Sequence, residues 1–528
     1  MSEKWKLIHS RNNWKQKAIE RGKKERACRK EIRRIKAERD RFKHKAEESK
    51  AELDRQRTQV RHSTKIELVY FAFLLFLVAR IGFRAISRVL EVLGPQLGLA
   101  KAPCAQTISN WVMRLSIAKT KTVFQSTGST VIGNFVKESV WLIDLSIGLG
   151  AGKILSVLSL NLRHHKLYDH APTLQDVECV AVSVAESWTG ETIADFLKKV
   201  IASVGGSPSA FLKDGGTDLG KAVDLLNAQG IPCPSIADIS HIIANLFKHE
   251  YGEHPLFNTF ISACGQVSKN LKQTLLASLA PPKVSTKARF MNLHHLVMWA
   301  NQLLKHSPKG NAQAGSMLSK LRASLDKLPD CKGFIARFLR DALPLLECQK
   351  ILKCKGLNSV TYQECEKLIA DLPASSSIRK GFTDWAKKHL TMTNTLGLGL
   401  TGLPTSTDAI ESLFGVGKRL GTGQVKDADR IAARLPALCG TLSQDDAQEA
   451  LSISVAQQKA VMGSRNSLIK QRRDVLPHPG KLETLAKPPD QQNVQLIKGL
   501  ARMEATLCGQ VYGMGGGPKV GETLLRGF

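Results

Sequence analysis

The sequence is short of acidic side chains, has no CxxC pair and has no long apolar run, and each shortage removes a class of protein. Its 528 residues hold 46 Asp and Glu against 76 Lys and Arg, a formal net charge of +30. Such an excess calls for a polyanionic partner, a nucleic acid or an anionic membrane surface, and is silent about fold. The 11 cysteines are odd in number and scattered. They provide neither the framework of a disulfide-stapled secreted module nor the spacing of a zinc knuckle or ribbon. The most apolar run, Leu68 to Ala79 (LVYFAFLLFLVA), lies between Glu67 and Arg80. It falls well short of the roughly 20 residues a spanning helix needs, so it is expected to be a buried helix and no membrane contact is expected. The first residues, MSEKWKLIHSRNNWKQK, contain no apolar h-region and no small-residue cleavage site, so no signal peptide is expected. The expectation is a soluble protein with reduced thiols in a cytoplasm, associated with the nucleoid if the cell is prokaryotic.

What is present is ample for folding. Hydrophobic residues make up 43% of the chain, which excludes wholesale disorder. At about 150 residues per domain the length suggests roughly three or four structural units. Residues 1–62 form a basic charged stretch with no proline and one glycine, Gly22; up to Lys65 there are 23 basic and 10 acidic side chains. Glu and Lys or Arg recur three and four apart (Glu31 and Arg34, Glu38 and Arg41, Glu47 and Lys50), which supports a long solvated helix. Its apolar positions, Ile32, Ile35, Phe42 and Leu53, do not sustain heptads, so a stable coiled coil is not the favoured expectation. The segment is either a charged helix with frayed ends or, as the one-sided charge favours, an arm lying on DNA phosphates.

Residues 63–125 are helical and more apolar. GFRAISRVLEVLG (Gly82 to Gly94) is one amphipathic helix, and PCAQTISNWVMRLSIAK (Pro103 to Lys119) is a second. The second opens on small and polar residues and has a buried face of Ile108, Trp111, Val112 and Leu115. This is the layout of a helix-turn-helix, with Gln106, Thr107, Ser109 and Asn110 placed to contact DNA bases; the alternative is a pair of packed helices in an all-α cap.

Residues 135–250 alternate strands and helices. SVWLIDLSIGLG and AGKILSVLSLNL read as a β-hairpin and VECVAVSVAES as a third strand. The helix GETIADFLKKVIASVG, the strand SAFLKDGG, the helix GKAVDLLNAQG and the short strand PSIADIS follow. The order β-β-β-α-β-α-β is that of an α/β ribonuclease-H-like core with a mixed five-stranded sheet. Residues 251–400 read as an all-α insertion, residues 401–440 as the last helix of the core, and residues 441–528 as helical stretches with Pro-rich linkers and the tail GMGGGPK. The GLGAGK stretch from Gly148 is not a phosphate loop, because Lys153 is followed by Ile and the stretch joins two strands.

Three acidic positions carry the chemistry. Asp144 sits in the first strand among Val140, Leu142 and Ile143, where an ionised carboxylate is costly without a partner. Asp214 ends the fourth strand before Gly215 and Gly216, which would allow a sharp turn. Glu411 lies on a helix two hundred residues later, after the cap candidates Ser406, Thr407 and Asp408. Three hard oxygen donors around Mg2+ or Mn2+ are what phosphodiester hydrolysis and strand transfer require. Asp408, one turn from Glu411 on the same face, competes with it, and Asp218 competes with Asp214 but falls past the glycines and is expected to cap the next helix. Trp188 and Trp299 could each stack on an unpaired base, core packing being the stronger expectation.

With these motifs in view, the sequence resembles DDE transposases of the insertion-sequence type, in which a helical insertion splits a ribonuclease-H-like core. The resemblance runs from about Ser139 to Arg419, on WLID around Asp144, FLKDGGTDLGKAV around Asp214 and TSTDAIESLFGVGKR around Glu411. Asp238-Ile239-Ser240-His241 matches the C/DxxH signature after the fifth strand in hAT-like and Mutator-like transposases and their prokaryotic relatives. The resemblance implies metal-dependent cleavage of transposon ends and strand transfer into target DNA, by a homo-oligomer on double-stranded DNA. It leaves Asp238 and His241 open between a buried hydrogen-bonded pair and a direct role at the DNA. The rival expectations are a ribonuclease-H-like nuclease or resolvase that cuts without transfer, and a domesticated, non-catalytic DNA-binding protein.

Overall fold

The computed structural model describes residues 3–126, 138–147, 152–162, 170–283, 289–306, 308–419 and 428–462. The stretch Gly148–Ala151 and the linkers and tail expected beyond residue 462 lie outside the described residues. The chain divides into two compact units, Met1–Phe71 and Ala72–Phe528. The first is built of one helix, α1 (Glu3–Leu77), whose last turns from Ala72 belong to the second unit. With no proline to interrupt it, the helix runs through the basic stretch. Ion pairs at helical spacing support it: Arg29 with Glu25 at 2.5 Å, Arg34 with Glu31 at 2.8 Å, and His44 with Glu48 at 3.3 Å. Such exposed pairs contribute only about 0.3–0.5 kcal/mol each. Among the described residues no helix is long and apolar enough to cross a membrane.

The second unit is mixed α/β around a five-stranded mixed sheet. In chain order its elements are α2 (Phe83–Val92), α3 (Ala105–Ser126), β1 (Ser139–Ile147), β2 (Lys153–Asn161), β3 (Val177–Ala185), α4 (Gly190–Val204), β4 (Ala210–Lys213), α5 (Thr217–Ala228), β5 (Ser235–Ala237) and α6 (Ile239–Tyr251). Then come α7 (Pro255–Leu271), α8 (Arg289–Lys305), α9 (Met317–Ser324), α10 (Lys332–Lys355), α11 (Ser359–Leu368), α12 (Ser377–Thr395), α13 (Asp408–Arg419), α14 (Ala428–Ala432), α15 (Gln444–Ser452) and α16 (Val455–Met462). The sheet order is β3-β2-β1-β4-β5. β1 pairs antiparallel with β2 and β2 with β3, while β4 lies parallel to β1 and β5 parallel to β4. Alternation along the strands divides the side chains. Trp141 and Ile143 of β1, Leu155 and Val157 of β2 and Phe211 of β4 share one core with the apolar stripes of α4 and α5. Val140, Leu142, Asp144 and Ser146 belong to the opposite face, and α13 packs against β1.

The helices from α7 to α12 hold no strand among the described residues, as the sequence leads one to expect. Their core is aromatic: Tyr251, Phe257, Phe260, Phe334 and Phe338 meet edge-on or tilted. The Tyr251 hydroxyl donates to the buried Asp341 carboxylate at 2.5 Å, and Arg340 donates to its other oxygen at 2.7 Å. Trp188 is a core residue, its indole N–H donating to Lys153 O at 2.9 Å, and the Trp299 indole donates to Leu279 O at 3.1 Å. Trp188 is thus packed in the core, while Trp299 is half-buried with its indole N–H engaged.

The DNA-reading layout expected for α2 and α3 needs correction on two counts. Residues 93–104 link the helices, where a helix-turn-helix uses a turn of about three or four residues. The N-terminal part of α3 is also not an open face: α3 packs against α2, β3, the turn Pro436–Leu438 and α15. Ser109 is 6% exposed, too deeply packed to contact bases. Asn110 accepts from Gln106 Nε2 at 3.0 Å and from Gln458 of α16 at 3.1 Å. Thr107 is half-buried with Cys104 Sγ 3.3 Å from its hydroxyl, and of the four residues only Gln106 is exposed. Small polar side chains had suggested a solvent face, but small residues also permit close helix packing, and here they do.

The edge strand β5 is completed by side chains. Ala237 N–H donates to His389 Nε2 at 3.1 Å and Ala237 C=O accepts from the Trp385 indole at 3.3 Å, so α12 covers the free strand edge. His389 Nδ1 donates to Trp385 O at 2.8 Å, which fixes the neutral tautomer. Burial holds this imidazole below its usual pKa, with the charge of Lys388 adding to the effect. The unfolded chain takes up a proton that the folded ring refuses, so stability is full above about pH 6.5 and falls as the pH drops below it. His389→Gln keeps an acceptor and does not titrate. It should cost about 1–3 kcal/mol at pH 8 yet lose less stability than wild type between pH 7 and 5, as melts across that range will measure. Parallel pH curves for the two proteins would remove His389 from the account.

Candidate active site

β1 and β4 bring two acids together by register. Ile143 is the parallel partner of Lys213, so the next residue on each chain, Asp144 within β1 and Asp214 just past β4, stand side by side at one sheet end. Asp214 does not need its glycines for a left-handed turn, because Gly216 has φ −63°. It needs them for closeness. Gly216 N–H donates to Asp214 Oδ1 at 2.8 Å, and a Cβ on that glycine would sit 2.9 Å from the same oxygen. Asp218 lies in the first turn of α5, whose N-cap position is Gly216, so it is not the cap.

Glu411 joins them from α13. Its carboxylate Oε1 lies 3.3 Å from His241 Nε2 on α6, with the two side chains 43% and 28% exposed. Asp238 has a different task. It is 1% exposed and caps α6, its Oδ1 accepting from His241 N–H at 3.0 Å. Its Oδ2 accepts from both the backbone N–H and the hydroxyl of Thr407, at 2.6 and 2.9 Å. The DISH motif is thus divided: the acid is a buried staple between α6 and the start of α13, while the histidine ring leaves that acid and pairs with Glu411. Neither of the two roles expected for the pair describes it fully.

α10 braces the same junction. Gln349 donates to Ser240 Oγ at 2.8 Å, and one turn later Lys353 holds both carboxylate oxygens of Asp408 at 2.8 and 2.7 Å. Thr405 completes the seam, its hydroxyl donating to Leu352 O at 3.1 Å and its carbonyl accepting from Ile239 N–H at 2.9 Å. Asp408 is thereby committed to Lys353, which leaves Glu411 as the acid of α13 that faces the β1 and β4 carboxylates. Sequence reasoning missed Lys353 and Gln349, and saw in Thr407 only a cap candidate, because their partners lie far along the chain. It also missed Ser156, opposite Asp144 on β2, whose buried hydroxyl has no hydrogen-bond partner among the described residues.

The electrostatics identify Asp144 as the strained member. Burial pushes its carboxyl up to about 7, and the nearby negative charges of Asp214 and Glu411 add to the rise. Leu145 N–H, donating to Oδ1 at 2.6 Å, and His241 act the other way. The bond to Glu411 raises the His241 pKa, against its burial. Among the described residues no three His, Cys, Asp or Glu side chains form a ready cage for an ion. The donors are nevertheless hard oxygens that repel one another, a set suited to a hard divalent cation. A ligand role for Glu411 means exchanging its bond to His241. No family model matches the chain, and no curated protein matches it either.

A stability test follows from the sign of the Asp144 shift. Between about pH 4 and 7 the folded protein keeps a proton that the unfolded chain has lost, so wild-type stability falls as pH rises through that window and levels off above it. Asp144→Asn lacks this fall. It should match wild type near pH 4 and exceed it at pH 8, by on the order of a few kcal/mol at most. Denaturant titrations at both pH values, without divalent cations, will check this; an Asn variant less stable at pH 8 would mean that Asp144 is satisfied as it stands.

Proposed function

We propose that the protein is a DNA strand-cleaving and strand-transferring enzyme of the DDE transposase type, built on a ribonuclease-H-like core. The observation that carries this reading is the convergence of Asp144, Asp214 and Glu411, where burial lifts the Asp144 carboxyl to about 7 and the charges of Asp214 and Glu411 add to the rise. Support for the core comes from the sheet order β3-β2-β1-β4-β5, with its antiparallel hairpin strands followed by parallel β4 and β5. An acid within β1, a second just past the neighbouring β4 and a third on a helix reached after a long helical excursion match the resemblance seen in the sequence. Mg2+ or Mn2+ would be held by Asp144 and Asp214, with Glu411 as the third donor. When bound, the cation supplies charge neutralisation at the scissile phosphate and at the leaving oxygen.

The chain's own residues do the rest. Asp144 and Asp214 are fixed in direction by Leu145 N–H and Gly216 N–H, so neither carboxylate has to be ordered when the site fills. Asp238 and Thr407 fix where α13 begins and hence where Glu411 stands. His241 holds Glu411 and, being cationic more readily than an ordinary histidine, offers positive charge to an approaching phosphate. The net charge of +30 favours DNA as the polyanion, with phosphate contacts from the basic helix supplying affinity more than base reading.

The test is a labelled duplex carrying the DNA that flanks the gene, scored for gel shift and for nicking with Mg2+ or Mn2+. Asp144→Asn, Asp214→Asn and Glu411→Gln should each lower nicking by at least about 100-fold, or about 2.7 kcal/mol, while the shift persists. Wild-type nicking by Asp144→Asn or Asp214→Asn would show the site to be misassigned. A wild type that shifts DNA but never nicks it with either metal would favour the non-catalytic DNA-binding alternative. Deleting residues 1–62 should weaken binding and flatten its salt dependence, each lost phosphate contact taking about 0.9 from the slope of log K against log salt; an unchanged slope would take the arm off the DNA.

A further inference from the structure

The first unit leaves apolar side chains in water on a regular repeat. Trp14 is 63% exposed, Ile32 51%, Ile35 55% and Phe42 73%. Leu7, Trp14, Cys28, Ile35 and Phe42 are separated by seven residues or multiples of seven, the spacing that keeps a line of side chains on one seam of a supercoiled helix. Taking these as d positions places Ala18, Ile32 and Ala46 at a, while Lys4, Arg11 and Glu25 at a and Arg21 at d break the repeat before Cys28. The chain between Cys28 and Phe42 then has one continuous apolar seam, interrupted only by Arg39 at an a position.

We infer that residues 28–43 of α1 pair with the same segment of a second copy of this chain, as a parallel, in-register two-stranded coiled coil. Charge selects the partner. In that register the g position of one helix meets the e position five residues on in the other, which joins Glu31 to Lys36 and Glu38 to Lys43, both attractive. The same arithmetic joins Lys24 to Arg29 and Lys45 to Lys50, both repulsive, so the favourable zone ends where the apolar seam ends. A duplex offers no use for the apolar seam, and a partner with one uniform charge would satisfy only half of the Glu and Lys pattern. A copy of the same helix satisfies all of it. Within one helix Glu31 and Glu38 also reach Arg34, at 2.8 and 4.0 Å, an outer-face contact with which the pairs across the seam compete. Arg26, Lys30, Arg33 and Arg41 occupy outer positions, so pairing leaves them on the outer surface. The seam is short, so self-association is weak, and it is independent of whatever chemistry Asp144 and its neighbours perform.

Cys28, exposed and at a d position, reports on the geometry. In the parallel register the two copies bring it face to face. In an antiparallel pairing centred on Ile35 the two thiols would be separated by 14 residues of helix, about 21 Å. The full-length protein, at tens of micromolar, is treated with a short bis-maleimide and run on a denaturing gel, with Cys28→Ser as control. The expected result is a covalent dimer that Cys28→Ser lacks and that Ile35→Asp reduces at least tenfold, with light scattering showing the same order of self-association. Lys36→Glu with Lys43→Glu should also weaken it, and adding Glu31→Lys and Glu38→Lys to that variant should restore it, which separates lost pairing from a lost helix. A monomer at these concentrations, a dimer linked without Cys28, or crosslinking indifferent to Ile35→Asp would each overturn the inference.

Discussion

A buried carboxylate has to find its hydrogen bonds inside the protein, and the one on Asp238 finds them on both sides of a helical excursion of more than 150 residues. One oxygen takes the His241 N–H at the start of α6 and the other takes the N–H and hydroxyl of Thr407, just before α13. Removing one of these donors leaves that carboxylate partly unsatisfied in a place water does not reach, at a cost of roughly 1–3 kcal/mol. The two helix starts are therefore locked to each other. Since Asp238 N–H donates in turn to Lys213 O at 3.0 Å, they are locked to β4 as well. His241 and Glu411 meet because each lies three or four residues into a helix whose origin this carboxylate fixes.

The helices between α6 and α13 are consequently part of the site's frame. α10 alone reaches Ser240 through Gln349 and Asp408 through Lys353, a spacing of four that puts both side chains on one helix face. α12 closes the exposed edge of β5 with Trp385 and His389, which a strand of three residues could hardly protect by itself. A segment that looks like an interruption in the sequence supplies both the brace for the acidic helix and the cover for the sheet.

Much of this was legible along the chain and some was not, for a physical reason that divides the two. The strands, α4 and α5 announce themselves by local periodicity, and Asp144 stands out because an acid inside an apolar strand is costly. The pairing of Asp144 with Asp214 follows once β1 and β4 are neighbours. What stayed hidden depends on contacts between distant residues. Nothing near Asp408 says that Lys353 will hold it, and nothing near Asn110 says that Gln458 will. Ser109 and Asn110 misled because a short polar residue at a helix start suits a base-reading face and a tightly packed one equally well; burial against the rest of the unit, including the segment from Pro436 to Met462, decided it. His241 was tied by the motif to Asp238, yet its ring took the more exposed acid because the Asp238 oxygens were already filled from the backbone and Thr407.

Asp144 and Asp238 make an instructive pair, since both are acids set among apolar neighbours and only one is satisfied. Asp238 receives three donors and lies fully inside, as a structural carboxylate should. Asp144 receives one, from its own neighbour Leu145, and faces two further acids. A fold selected only for stability would replace it by Asn or Ser, which fit the strand without the repulsion. The two charges nearest to it come from separate elements, β4 and α13, each held in place by hydrogen bonds of its own, so the repulsion is maintained by the architecture. Like charges held together by the architecture around a largely buried carboxylate are what the proposed cation site requires. That is the reason for placing the chemistry at Asp144, Asp214 and Glu411, and Asp238, however conspicuous in the sequence motif, in the frame that holds them.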